Sequence, residues 1–203
     1  MKIICVGRNY VDHAKEMKSE VPSEPVIFLK PETALIPKRN PFFIPPFSSE
    51  VHHELELVIR INRLGKSIEE RFARRYYDEV SVGIDFTARD VQSALKSKGL
   101  PWEKAKAFDG SAPVGKWVKL KPNGGTDDLS IRLTKNGEEV QAVNTGEMIF
   151  SVDKIIAHVS QYMTLKIGDL IFTGTPSGVG RVDEGDTLEA FLEGERLLQV
   201  KVK

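Results

Sequence analysis

The sequence predicts an α+β fold that is mostly β, in a single domain over residues 1–203. Three observations carry this expectation. Strand-like apolar alternation recurs along the whole chain, hairpin signals crowd its second half, and the helical segments between them are few and short. A chain of 203 residues is long enough to bury one sizeable core. With 40% apolar and 29% charged residues it has the composition of a globular protein, not a disordered one.

The elements follow in order. Residues 2–6 read as a short buried strand, and 9–18 as a helix with Asn9 as its cap. Residues 25–30 read as a strand, while four prolines in 37–49 demand an extended loop. Residues 54–62 alternate as a strand. Residues 67–77 read as a helix starting at Ser67, with Glu69 and Glu70 in the first turn where the dipole favours them. A strand over 80–86 precedes a helix over 88–97 that Gly99 and Pro101 stop. Asn136-Gly137 joins strands 131–135 and 138–143 as a hairpin. Ser151 caps a helix to about Met163. Residues 169–173 form a strand entering a glycine-rich loop, and 187–193 and 196–202 pair by turning at Gly194. No internal repeat interrupts this order.

Composition excludes several partners. Lysine plus arginine, at 29, equals aspartate plus glutamate, at 29, so no basic excess marks a nucleic-acid binder. No basic amphipathic stretch suggests a membrane surface, and no window approaches the roughly 18 apolar residues of a membrane span. The apolar run at residues 3–6 is too short for a signal peptide. The single cysteine, Cys5, can form no intramolecular disulfide and reads as a buried small hydrophobe. These features predict a cytoplasmic protein.

The most informative segment is His52-His53-Glu54-Leu55-Glu56-Leu57-Val58-Ile59. On a strand, Leu55, Leu57, Ile59 and Ile61 share one face, and Glu54, Glu56 and Val58 share the other. Read alone, the glutamates fit a solvated acidic face. Val58 argues that the face is covered, and Asp85 adds a carboxylate to another apolar strand. Like charges this close require a cation or a shared proton. An oxygen-rich set without paired cysteines suits a hard ion such as Mg²⁺, Mn²⁺ or Ca²⁺, and the histidine spacing lacks a zinc pattern. His52 and His53 read as residues lining the site more than as ligands.

A helix over 9–18 places His13 and Glu16 on one face. A carboxylate beside an imidazole raises its basicity and fixes its tautomer, as a general base for water requires. The same spacing also fits an exposed surface pair. Lys106, among Ala105, Ala107 and Phe108, fits either a surface lysine or a charge offered to an oxyanion. The loop 174–180 lacks the Lys-Ser/Thr ending of a nucleotide cradle but suits backbone donors around a small carboxylate.

Seven stretches in order, 7–17, 24–31 (EPVIFLKP), 52–57 (HHELEL), 85–92 (DFTARDVQ), 99–108 (GLPWEKAKAF), 148–151 (MIFS) and 168–180 (GDLIFTGTPSGVG), together resemble the fumarylacetoacetate hydrolase family. The resemblance is greatest to its short acylpyruvase and oxaloacetate decarboxylase branch. It implies a fold like the family's C-terminal domain, a β-sandwich roll with a few short helices, and a homodimer. It implies Mg²⁺ or Mn²⁺ on Glu54, Glu56 and Asp85, a lid dyad of His13 and Glu16, a catalytic Lys106, and substrate contacts from Arg89, Gln92 and Thr175. Because the chain starts at its G-R-N-Y motif, it reads as the catalytic domain alone.

The activity so implied is hydrolysis of the carbon–carbon bond of acylpyruvate-type 2,4-dioxo acids through a metal-bound pyruvate enolate. Oxaloacetate decarboxylation could share that enolate. The alternative is an isomerase or tautomerase of a 2-oxo-diene dioate such as 2-hydroxyhepta-2,4-diene-1,7-dioate. A non-catalytic metal-binding assembly protein would leave His13, Glu16 and Lys106 surplus.

Overall fold

The computed structural model describes residues 1–17, 20–37, 40–121 and 124–203. Its strands are β1 (Ile3–Val6), β2 (Ile27–Lys30), β3 (Val51–His53), β4 (Leu55–Ile61), β5 (Tyr77–Ile84), β6 (Thr87–Ala88), β7 (Val118–Lys119), β8 (Ser130–Lys135), β9 (Glu138–Asn144), β10 (Leu170–Phe172), β11 (Gly180–Arg181), β12 (Thr187–Leu192) and β13 (Glu195–Lys201). The α-helices are α1 (Val11–Glu16), α2 (Glu70–Ala73), α3 (Arg89–Ser97), α4 (Glu103–Lys106) and α5 (Val152–Tyr162).

Sheet dominates, with the few short helices expected. The largest sheet has the order β2-β1-β10-β4-β5-β7, and a second has the order β13-β12-β8-β9. A small third sheet, β11-β3-β6, lies beside the site. Only β1 and β10 pair in parallel in the large sheet. One core joins the two larger sheets: Leu55, Leu57 and Ile59 pack in the same cluster as Ile131, Leu133, Leu188 and Ala190. The opposite face of the large sheet is also covered, by a cluster of Ile3, Cys5, Val58, Leu170 and Phe172. Burial on both faces explains why β1 and the centre of β4 are apolar without interruption. Cys5 is fully buried, as its apolar neighbours suggested.

Packing at the sheet centre is close. A Cβ on Gly83 would stand 2.7 Å from the Phe172 ring and 2.8 Å from Val58, so only a glycine lets these side chains meet there. The Asn136-Gly137 turn has positive φ at both residues, 55° and 88°, as the hairpin signal requires. Ser151 caps α5 by accepting from the Lys154 N–H at 3.2 Å.

Several elements differ from expectation. Asn9 caps no helix. It is fully buried, donates from Nδ2 to the Phe150 and Thr173 carbonyls at 2.9 and 2.8 Å, and accepts from the Phe150 N–H at 2.7 Å. Tyr10 takes the cap position of α1 without a side-chain bond, and residue 18, the expected end of that helix, lies outside the described residues. Ser67 starts no helix, since its φ of 50° is left-handed. The amides of Ser67 and Ile68 turn instead to Ser160 of α5, both at 2.8 Å. Helix therefore begins at Glu70 and passes into a 3₁₀ turn over Arg74–Tyr76. The strand expected over 54–62 forms as β4, and an unexpected strand, β3, precedes it in a different sheet.

Asn9 ties the approach to α1 to both β10 and the approach to α5. Asn9→Ala strands buried amide and carbonyl groups and should lower stability by roughly 2–4 kcal/mol. Urea denaturation checks this; an unchanged midpoint and slope would refute the brace.

Candidate active site

The site starts from strand register. In the antiparallel β4–β5 pair, Leu55 faces Ile84 and Glu56 faces Gly83. The same register places Glu54 across from Asp85, and the Asp85 N–H donates to the Glu54 carbonyl at 2.8 Å. Two segments far apart in sequence thus bring three carboxylates together. One oxygen from each of Glu54, Glu56 and Asp85 lies within 4.8 Å of the others, and the three residues are 5%, 1% and 0% exposed.

Such a cluster needs positive charge. Lys106 Nζ donates to Glu54 Oε2 at 2.6 Å, Asp85 Oδ2 at 2.7 Å and Thr87 Oγ1 at 2.5 Å. Arg89 donates from one terminal nitrogen to Glu54 Oε1 at 2.5 Å and from the other to Gln92 Oε1 at 2.6 Å. Lys30 Nζ lies 2.7 Å from Asp85 Oδ1, an ion pair not aligned as a hydrogen bond. Glu56 Oε2 accepts only the Gly174 N–H, at 2.6 Å, among its described hydrogen bonds.

These surroundings separate the titrations. Burial alone would raise Glu54, but Lys106, Arg89 and His13 together hold it well below the usual carboxylate range. Burial raises Glu56, and the Asp85 and Glu54 charges raise it further. The chain's own cations therefore leave the charged form of Glu56 disfavoured, and a further cation beside it would relieve that. Burial would lower Lys106, yet Asp85 and Glu54 hold it above its ordinary value.

Magnesium places its oxygen donors at about 2.0–2.1 Å, so donors on opposite sides of the ion stand roughly 4.2 Å apart. A cluster within 4.8 Å contracts onto such an ion with small side-chain shifts. Three oxygen donors, and no sulfur or imidazole among them, suit Mg²⁺ or Mn²⁺.

Across the cleft from this triad stands α1. His13 Nδ1 lies 3.2 Å from Glu16 Oε2, and Glu16 Oε1 accepts the Gly178 N–H at 3.1 Å. His13 is 4% exposed, so the pair is not a surface one. The cleft is lined by His13, Glu54, Arg89, Gln92, Trp102 and Lys106, among others.

Residues 2–203 match the family model described as fumarylacetoacetate (FAA) hydrolase C-terminal. This chain belongs to the fumarylacetoacetate hydrolase family. It is 46% identical to the mitochondrial oxaloacetate tautomerase of Rattus norvegicus, over 99% of this chain and 91% of that one. It is 43% identical to an oxaloacetate tautomerase of Escherichia coli, over 97% and 90%. A fumarylpyruvate hydrolase from Pseudomonas aeruginosa, solved in complex with Mn²⁺ and pyruvate, superposes with a TM-score of 0.94 at 36% identity, over 100% of this chain and 89% of that one. The expected fold is therefore that of the family's C-terminal domain.

Within this family fold, the expected metal ligands Glu54, Glu56 and Asp85 converge, and His13, Glu16, Lys106, Arg89 and Gln92 stand around or beside them. Thr175 stands apart from the cleft lining, buried with its hydroxyl accepting from Gln141 Nε2 at 2.9 Å. His53 is held at Nδ1 by Gln141 at 3.1 Å. Burial foremost lowers its pKa to about 4, which keeps it neutral. His52 bridges Glu50 and Arg89 at 2.9 and 3.4 Å. Sequence reasoning missed Lys30, Thr87 and Gln141. Lys30 alone left a trace, as a lysine ending an apolar strand before Pro31.

Glu56→Gln keeps an acceptor for Gly174 while removing the ionisable group whose charged form the fold disfavours. In chelator the variant should melt above wild type, each kcal/mol gained raising the midpoint by about 2–4 °C. Mn²⁺ should raise the wild-type midpoint and leave the variant's unmoved. An equal metal-induced rise in both would remove Glu56 from the ligand set.

Proposed function

We propose that the protein interconverts the keto and enol forms of a short 2-oxo dicarboxylic acid of the oxaloacetate type, with Mg²⁺ or Mn²⁺ as cofactor. The observation that carries this is two devices facing each other across one cleft. Glu54 of the carboxylate triad lines it with Lys106 and Arg89, and so does His13, backed by Glu16. The 43–46% identity to oxaloacetate tautomerases supports the choice of reaction.

A divalent ion on Glu54, Glu56 and Asp85 would withdraw electron density from the keto oxygen and acidify the adjacent C–H. With Nδ1 engaged by Glu16, His13 offers Nε2 to the cleft as the proton carrier. It takes a proton from the carbon beside the keto group and returns it in the reverse direction. Glu16, anchored to the Gly178 N–H, steadies the resulting imidazolium. Lys106 faces the developing negative charge on oxygen. Arg89, its guanidinium braced by Gln92, offers two N–H groups to the distal carboxylate. The proposal includes a homodimer and a cytoplasmic setting. No helix of the described residues is long and apolar enough to cross a membrane.

The second reading is cleavage of an acylpyruvate. It is favoured by the similarity to the fumarylpyruvate hydrolase bound to Mn²⁺ and pyruvate. In it His13 takes its proton from water, and the water oxygen attacks the distal carbonyl. The carbon–carbon bond then breaks, and its electron pair leaves with the three-carbon keto acid, to be protonated at carbon.

The two are separated by NMR of oxaloacetate and an acylpyruvate incubated with protein and Mn²⁺. The proposal expects accelerated enol decay with every carbon retained; two acids from the acylpyruvate would select the second reading, and no acceleration of either would sink both. His13→Gln should lower kcat by about 10²–10⁴-fold with unchanged Mn²⁺ affinity, whereas Lys203→Ala should match wild type.

A further inference from the structure

Lys30 is a buried cation that the proposed proton transfer does not use. Its side chain is 0% exposed, beside an Asp85 that is 1% exposed. It ends β2, the edge strand of the large sheet. Its ammonium meets Asp85 Oδ1 at 2.7 Å, Ser111 Oγ at 2.8 Å, the Ser111 carbonyl at 3.2 Å and, in close contact, the Lys106 carbonyl. An ammonium has three protons to give; the Lys106 carbonyl, the Ser111 carbonyl and Ser111 Oγ take them and fix the charge beside Asp85 Oδ1.

The three carboxylates of the cluster share a pattern. Each has one oxygen held by a group of the chain: Glu54 Oε1 by Arg89, Glu56 Oε2 by the Gly174 N–H, and Asp85 Oδ1 by Lys30. One oxygen of each then remains for a cation, with Lys106 now touching those of Glu54 and Asp85. Arg89 lines the open cleft. Gly174 is backbone, and Lys30 is sealed in the interior.

We infer that Lys30 is a specificity-determining residue that selects the ion, by forcing Asp85 to coordinate through a single oxygen. This rests on the metal-centre reading of the triad and not on which reaction follows. Mg²⁺ and Mn²⁺ accept one oxygen per carboxylate in a compact octahedron. Ca²⁺ takes six to eight oxygens and gains most from carboxylates that chelate it through both atoms. A calcium ion chelated by Asp85 would share Oδ1 with a fixed positive charge. Lys30 thus penalises the larger ion while leaving the smaller one's donor untouched. It also holds the Lys106 carbonyl, so one ammonium sets the positions of both Asp85 and the lysine opposite it.

The test is calorimetric titration of wild type and Lys30→Met with Mn²⁺ and with Ca²⁺, with melting in chelator as the check on folding. The Mn²⁺-over-Ca²⁺ affinity ratio should fall at least tenfold in the variant, mainly through tighter Ca²⁺ binding. A ratio within twofold of wild type in a folded variant overturns the inference. Lys30→Gln, which keeps a neutral donor of similar reach, should lie between the two proteins. An infrared measurement on wild type with Ca²⁺ is independent of any variant's folding. The splitting of the carboxylate stretches should report one-oxygen coordination, and a chelating pattern overturns the inference directly. If wild type binds neither ion, the metal-centre reading falls with it; if Mn²⁺ binds and the ratio holds, only the role of Lys30 falls.

Discussion

Three carboxyl groups buried within a few ångströms of one another are the constraint around which this molecule is built. The β4–β5 register forces Glu54, Glu56 and Asp85 together, and in a low-dielectric interior their mutual repulsion is large. The chain answers with cations drawn from three separate elements: Lys30 from β2, Arg89 from α3 and Lys106 from α4. Each ion pair therefore doubles as a tertiary tether. Folding brings the edge of the large sheet, the helix beyond β6 and the short helix after Trp102 onto one focus. The repulsion that disfavours the charged form of Glu56 is what an added ion would relieve, which makes that focus receptive to one.

Much of this was legible in the residues. The alternation at 54–61 assigned the apolar and acidic faces correctly because strand geometry is strictly two-fold, and Val58 correctly marked the acidic face as covered. The Asn-Gly hairpin and the Ser151 cap were local decisions, made by a few adjacent residues. What failed was decided at a distance. Asn9 has the chemistry of a cap, but β10 and Phe150 compete for its amide and win. Ser67 precedes a helical pattern, but Ser160 captures the neighbouring amides. Lys30 sits where an edge strand ordinarily carries a solvated lysine; only the segment around Ser111, more than seventy residues on, turns that position into an interior one. Helix α4 is four residues long, too short to show a period.

His13 and Glu16 show how much the resemblance added. Their spacing alone fits an exposed pair better, and nothing within α1 announces that one side faces a buried triad. The structure supplies the asymmetry: His13 is enclosed while Glu16 reaches the Gly178 amide of the glycine-rich loop. The proton transfer proposed for His13 is common to both readings, and the chain resembles tautomerases and a hydrolase alike. On the proposed mechanism the buried polar residues serve the keto oxygen, and cleft walls such as Arg8, Met17 and Trp102 bound the reach along the substrate.

Gly83 carries a consequence for sequence divergence. Its missing side chain is the space into which the Phe172 ring and Val58 extend. These three positions belong to three adjacent strands, directly beneath the strand ends that carry the acids. They form a single volume with a fixed sum, so drift at one of them is permitted only with compensation at the others. Relatives that preserve the acids should therefore vary here as a correlated trio, with a bulkier residue at 83 accompanied by a smaller one at 172 or 58.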